Sequence, residues 1–420
     1  MRIGFVSTRF HGTDGVSLEA AKWAHVFEKN LGHRCFWFGG KLDTPPESSH
    51  LCRRAFFECP ENLAMQHALF GHPEPRAQLL SDAVAAFTDD LQAELRRFIS
   101  RYQIDFLLPQ NILAIPMHVP LGLAITALAE EGMPILAHHH DFSWERTRFG
   151  SGCAGDYLQR AFPPPLSERF QHIVINSRAG KDLLERRGVS SSVVPNVFDF
   201  ENPPPLPDSY GDDFRDQFGI AHDEILILQP TRIVPRKGIE FSIELCCRLK
   251  ERLERKVCLV VSHTSGDEGF EYLDSLVNLA AQLGVRVLWA GDRVSDSRGI
   301  DSSGNKIYRL WDVYPNADYV TYPSLYEGFG NALLESFYFS KPVMVNRYSV
   351  YAEDIEPHGF KVVTMDGCVT DDVVSGAIRI IEDQALASQW ATHNYRVCIQ
   401  HYSYRVLRSN LGRLVEALSD

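Results

Sequence analysis

The feature that most restricts this chain is a set of short, unbroken apolar runs, each ending in polar residues. Ile3 to Ser7 is the first, then RCFWFGG, IDFLLPQN, PILAHHHD, QHIVINS and SSVVPNV. Further along come EILILQP, KVCLVVS, RVLWAGD, ADYVTYPS and KPVMVNR. Runs apolar on every residue belong to strands covered on both faces, which is the condition of a parallel sheet flanked by helices. The intervening segments have helical spacing. Val16, Ala20, Trp23, Phe27 and Leu31 recur at three to four residues, with Gly32 closing the helix. Ile239, Ile243, Cys246, Leu249 and Leu253 repeat the pattern. The expected fold class is α/β.

With 420 residues, 45% of them hydrophobic, the chain is too long for one average domain. Residues 201–213, ENPPPLPDSYGDD, carry four prolines with acids and a glycine, which predicts a stiff, exposed connection. The expected division is 1–200 and 201–399, both doubly wound, with a C-terminal helix at 400–420 packing back on the first. In such sheets ligands lie beyond the carboxyl ends of the strands, and a cleft between two such halves is the expected binding place.

The net charge of −12 argues against nucleic acid or an anionic membrane surface as main partner. An anionic ligand would need a local cluster of cations. Nine cysteines, an odd number with no C-x-x-C, suit reduced thiols in the cytoplasm. MRIGFVSTRF has no long apolar stretch after its basic residue, and no run approaches the ~18 residues of a membrane span. Neither a signal peptide nor an integral membrane segment is expected.

The stretch SLYEGFGNALLESFYFSKPV places Glu327 before a glycine-bearing turn and Glu335 about one turn into the following helix. Glycines at such a turn let backbone approach a ligand, and the helix start attracts phosphate. Two acids around an anion site suit a ligand with phosphate in its middle and hydroxyls at both ends, such as a nucleotide sugar. A dinucleotide-dependent dehydrogenase would need G-x-G-x-x-G after the first strand, where this chain has HGTDG. His138, His139 and His140 are adjacent, so alternate strand geometry keeps all three from one metal ion.

EGFGNALLE resembles the E-x7-E signature of the retaining GT-B glycosyltransferases of family 4, the group 1 type. QPTRIVPRKGIE resembles that family's donor-diphosphate segment, VVPNVFD its stretch at the end of the first domain, ILAHHHD its histidine-bearing strand end, and HGTDGVSLE its N-terminal glycine loop. Val197 stands where glycine is usual. The resemblance implies a GT-B fold of two Rossmann-like domains, an acceptor-side one first and a nucleotide-sugar-binding one second. It implies that Arg232 and Lys237 meet the donor diphosphate, that Glu335 holds the ribose, and that Glu327 holds the transferred sugar. Gly328, Phe329, Gly330, Asn331 and Ala332 would offer close donor contacts, Gly15 likewise, and His140 would sit at the sugar's reacting end. No cofactor and no metal are implied, and the chain contains no D-x-D. HGTDGVSLEAAKWA and AHHHDFSWERTRF resemble enzymes that mannosylate small glycosides such as glucosylglycerate, with GDP-mannose as donor. Alternatives on the same fold are a sugar-nucleotide epimerase, a phosphorylase, and a non-catalytic binder of sugar nucleotides. The oligomeric state has no signature in the chain.

Overall fold

A computed structural model describes residues 1–420 except 13, 72–76, 151, 166–169, 206–207, 266–270 and 420, and the side chains of 77 and 419. The chain forms two compact units, Met1–Val197 with Tyr404–Asp420, and Phe198–Ser403. The boundary falls just before the proline-rich stretch, of which residues 206 and 207 lie outside those described.

The first unit is built on strands β1 (Arg2–Val6), β2 (Arg34–Gly39), β3 (Ser49–Leu51), β4 (Phe106–Pro109), β5 (Ile135–His139), β6 (Phe170–Val174) and β7 (Ser192–Val193). They form one parallel sheet in the order β3-β2-β1-β4-β5-β6-β7, so the winding direction reverses between β1 and β4. Its helices are α1 (Gly15–His25), α2 (Pro60–Phe70), α3 (Ala77–Tyr102), α4 (Val119–Glu130), α5 (Gly155–Ala161) and α6 (Ser177–Arg187). Alternate strand residues serve two cores. Ile3, Phe5, Cys35 and Trp37 pack with Trp23 and Phe27, whereas Val6, Phe36 and Phe38 pack with Phe98. That is why these runs are apolar at every position.

Helical spacing predicts one helix running to Leu31. Instead α1 ends at His25 and Val26–Asn30 form a π turn, with the Leu31 N–H bonded to the Val26 carbonyl at 3.2 Å. The wider turn keeps Trp23 and Phe27 both fully buried. Gly32, at φ +71°, then reverses the chain into β2.

The second unit contains α7 (Phe214–Gln217), β8 (Ile225–Gln229), α8 (Ile239–Leu253), β9 (Val257–Val261), α9 (Glu271–Leu283) and β10 (Arg286–Trp289). After these come β11 (Val294–Ser295), β12 (Gly299–Ile300), β13 (Lys306–Arg309), α10 (Leu310–Val313), β14 (Tyr319–Tyr322) and α11 (Asn331–Tyr338). The last elements are β15 (Val343–Asn346), β16 (Val363–Met365), α12 (Asp371–Glu382) and α13 (Gln384–His401). Its main sheet is parallel, in the order β10-β9-β8-β14-β15-β16, and reverses between β8 and β14. A small sheet, β11-β13-β12, is tied to the start of the unit by Arg298 on Asp208 at 2.6 Å and Lys306 on Asp213 at 2.8 Å.

The chain then returns to the first unit as α14 (Tyr404–Ser419). Leu407, Leu411, Leu414 and Val415 complete the core around Phe5, Trp23 and Phe27.

Candidate active site

The reversal between β8 and β14 is where an open α/β sheet leaves a crevice at its carboxyl edge. The loops leaving these two strands carry most of the singled-out residues. After β8 the chain passes Arg232 and makes a tight turn over Pro235–Lys237, ended by Gly238 at φ +60°. A Cβ on Gly238 would stand 2.5 Å from the Pro323 carbonyl, so the two loops are pressed together. Lys237 is buried, and its ammonium is ion-paired to Glu327. Arg236 reaches the other Glu327 oxygen at 2.9 Å and the Tyr326 carbonyl at 3.3 Å. The Leu325 N–H donates to the Arg236 carbonyl at 2.8 Å.

Burial pushes the Glu327 carboxyl upward, but Lys237 and Arg236 outweigh it, and its pKa lies below the ordinary carboxylate value. Burial, partly opposed by Glu327, holds the Lys237 ammonium below the ordinary lysine value. Both groups are charged at neutral pH, so the pair is a true ion pair across the switch point. Arg232 is exposed, and among the described residues no carboxylate lies within ion-pair reach of it.

The turn into α11 follows. The Phe329 side chain is buried against Tyr402 at 5.5 Å, so only its backbone is left to meet a ligand. Gly328 precedes it and is half-buried. Gly330 sits at φ +134°, a region open to glycine, and a Cβ there would stand 2.4 Å from the Tyr348 hydroxyl. That hydroxyl donates to the Phe329 carbonyl at 2.7 Å and holds the turn. Asn331 and Ala332 open α11, whose start has no side-chain cap. Glu335 is half-buried. One of its oxygens accepts from Trp311 Nε1 at 2.8 Å, the other from the Tyr314 hydroxyl at 3.3 Å. Those bonds fix the orientation of the carboxylate.

In the first unit, Gly15 and His140 stand at carboxyl ends beside the other reversal point. Gly15 opens α1, where Asp14 caps the helix by accepting from the Val16 and Ser17 amides at 3.1 and 3.2 Å. Gly15 is exposed, and a Cβ there would meet nothing within 4 Å. His140 follows β5. Asn111, in the left-handed region at φ +59°, accepts from its amide at 2.9 Å. Gln110 Oε1 lies 2.9 Å from His138 Nδ1 and 3.3 Å from His140 Nε2, so as placed it accepts from both rings. Burial pushes the His140 pKa down to about 4 despite Asp141 and Asp14, which makes the ring neutral at physiological pH. His138 and His140 share one face, their ring centroids 4.3 Å apart and His138 also stacked on Trp23, whereas His139 points to the other face and meets His172 at 2.8 Å.

Residues 211–397 match the family described as glycosyl transferases group 1. Over 99% of this chain and 100% of the relative, the sequence is 32% identical to the mannosylglucosylglycerate synthase of Thermotoga maritima. This chain belongs to the group 1 glycosyltransferases. The mannosylglucosylglycerate synthase of Petrotoga mobilis is also 32% identical, over 87% of this chain and 86% of its own length. Among solved structures, Anabaena HepE in complex with UDP and glucose superposes with a TM-score of 0.63 at 17% identity, covering 99% of this chain and 100% of that one. A Rickettsia africae glycosyltransferase gives 0.66 at 14% identity, over 100% and 99%. These likenesses show the GT-B fold, two Rossmann-like units with parallel sheets.

In this glycosyltransferase the structure brings Lys237, Glu327, the α11 turn and Glu335 to one edge of one sheet. Arg236, Trp311, Tyr314 and Tyr348 are further members of that constellation. Arg236 stands beside Lys237 in PRKG, and nothing in the string of letters says which cation faces Glu327. Trp311, Tyr314 and Tyr348 act through Glu335 and Gly330, contacts that only folding creates. Val197 is fully buried, and its carbonyl accepts from Lys22 Nζ at 2.7 Å. Its side chain therefore fills the core at the position where glycine is usual.

Proposed function

We propose that this glycosyltransferase moves mannose from GDP-mannose to a hydroxyl of a small soluble glycoside of a sugar acid, a glucosylglycerate, with retention of configuration and without a divalent metal. The observation that carries the reading is the match to two mannosylglucosylglycerate synthases, over 99% and 87% of the chain. The site supports it chemically. Lys237 and the exposed Arg232 meet the diphosphate and stabilise the charge that develops as it leaves, each charge-assisted contact contributing ~1.5–3 kcal/mol. Glu335, steadied by Trp311 and Tyr314, accepts from ribose hydroxyls. Backbone from Gly328 to Ala332 approaches the donor, while Glu327 keeps Lys237 charged and stands toward the transferred sugar. Neutral His140 keeps an imidazole lone pair for a sugar hydroxyl. The leaving phosphate takes the acceptor proton on the same face, so no separate base is needed. Nine free cysteines fit a reducing compartment such as the cytoplasm. Among the described residues no helix is long and apolar enough to cross a membrane.

The test is incubation of the protein with GDP-mannose and glucosylglycerate, with and without EDTA, and with UDP-glucose or ADP-glucose as replacement donors. The expected product is an α-linked mannoside, identified by the one-bond C1–H1 coupling of its anomeric centre and formed equally with EDTA. No transfer from GDP-mannose would overturn the donor, and a β-linked product would overturn retention. Free epimer or sugar phosphate from donor alone would favour an epimerase or phosphorylase instead.

A further inference from the structure

His263 leaves the end of β9, one strand over from β8, and its loop is bonded to the loop that carries Arg232 and Lys237. The Ser262 amide donates to the Gln229 carbonyl at 3.3 Å, and the Ile233 amide to the Thr264 carbonyl at 3.2 Å. Behind it, Gly291 packs so closely that a Cβ would stand 2.6 Å from the His263 carbonyl carbon. The half-buried ring is held by one hydrogen bond, Nδ1 to Ser262 Oγ at 2.7 Å. Among the described residues, Nε2 has no hydrogen-bond partner. The charged groups that act on the ring are Lys237 and Arg232 from the β8 loop and Asp296 from the segment after β11. Burial first, then these two cations, hold its pKa below the ordinary histidine value, with Asp296 opposing.

We propose that His263 is a third anion-facing group of the donor site, neutral in the free protein and protonated when a nucleotide-sugar diphosphate lies against Lys237 and Arg232. The inference rests on the donor assignment above. A bound diphosphate brings two negative charges to a place where two cations and one carboxylate stood. The field on the imidazole changes sign, and the ring takes one proton from solvent. The resulting imidazolium donates from Nε2 to a phosphate oxygen, and its charge is in place when the leaving diphosphate gains a further negative charge. The sign follows from linkage: the complex binds the extra proton, so donor affinity rises as pH falls between the histidine's free and bound titrations.

The experiment is calorimetric titration of the full-length protein, without acceptor, using whichever of GDP-mannose, UDP-glucose and ADP-glucose binds most tightly. Buffers of different ionisation heat give the protons exchanged. A diphosphate diester has no group of its own titrating near neutral pH, so uptake reports on the protein. The expected result is uptake approaching about one proton per site at a pH between the two titrations, with affinity weakening up to about tenfold per pH unit as pH rises across that interval. His263→Gln should abolish the uptake and flatten the pH dependence. Hydrogen–deuterium exchange at the His263 imidazole Cε1, followed by mass spectrometry in the wild type, should show a higher titration midpoint with donor bound. Binding without proton uptake, uptake that persists in His263→Gln, or an unmoved exchange midpoint overturns this proposal alone. If none of the three nucleotide sugars binds, the donor assignment falls and takes this proposal with it.

Discussion

The Lys237 charge is costly to maintain because its ammonium is buried; Glu327 offsets the lost hydration, with the Tyr322 ring 5.8 Å from Nζ. Glu327→Gln would leave that ammonium, with Arg236 beside it, lacking a carboxylate. The variant should lose ~3 kcal/mol of stability. Its Lys237 should also deprotonate at lower pH than in the wild type, so nucleotide affinity should begin to fall earlier on the alkaline side. The carboxylate's own contribution has the opposite window. Its pKa is depressed, so the stabilisation is complete above the unfolded carboxyl value of about 4.3 and fades as pH falls through the folded value. Arg232→Ala provides the contrast. Arg232 is exposed, so the variant should melt as the wild type does yet turn over about a hundredfold more slowly, a loss of ~2.7 kcal/mol at the transition state. Thermal melts, nucleotide titrations across pH and initial rates check all three. An alkaline limb identical in Glu327→Gln and wild type would show that Glu327 does not hold Lys237 charged. Residues such as these were legible because acids, glycines and cations stand at fixed intervals in two short stretches. Arg236 and His263 were not, since a cation beside a cation, or one histidine after a strand, takes its meaning from what folds against it.

At the scale of elements, the inner strands of both main sheets were legible because burial on two faces leaves few polar positions to blur them; the edge strands β3 and β16, three residues each, were not. The small sheet was not. Its strands are two to four residues long, and one includes Lys306 and Arg309, so no apolar run announces it. The π turn after α1 was also hidden, because a helix and a widened turn share the same apolar spacing over so few residues. In the proposed donor site the turn into α11 supplies the backbone that would approach the donor, and it rests on Gly330. Alanine there must adopt φ +134° and thrust a Cβ into the Tyr348 hydroxyl. Gly330→Ala should cost roughly 1–3 kcal/mol and weaken nucleotide binding, since the turn has to move. Tyr348→Phe in the same chain removes the clashing oxygen but leaves the backbone strain and frees the Phe329 carbonyl. The double variant should therefore recover only part of the lost stability. Full recovery would mean that the glycine serves packing alone, and no loss in Gly330→Ala would mean that the turn is not held as described.

At the scale of the molecule, the proposed nucleotide-binding constellation lies in one unit while the chain's last helix belongs to the other. Arg232, Lys237, Glu327 and Glu335 all fall within Phe198–Ser403, whereas α14 completes the core around Phe5, Trp23 and Phe27. Leu411, fully buried in that core, separates the two responsibilities. Leu411→Ala removes three heavy atoms from a packed site and should cost ~2–5 kcal/mol, the spread depending on how far the surroundings close the gap. That loss belongs to the first unit, so the part of the scanning calorimetry trace contributed by that unit should move to lower temperature in the variant. Saturating nucleotide sugar should still stabilise the second unit, by about 2.7 kcal/mol at a hundred times its Kd, in variant and wild type alike. At 25 °C, with both units folded, nucleotide affinity should stay within about twofold of the wild type, because Leu411 and the proposed nucleotide-binding residues belong to different compact units, and independent sites behave additively. Transfer to acceptor, measured as temperature rises, should fail in the variant well before nucleotide binding does. If Leu411→Ala instead lowered nucleotide affinity by about tenfold or more at 25 °C, the donor site would draw on the first unit's core. The assignment of nucleotide binding to Phe198–Ser403 would then be wrong.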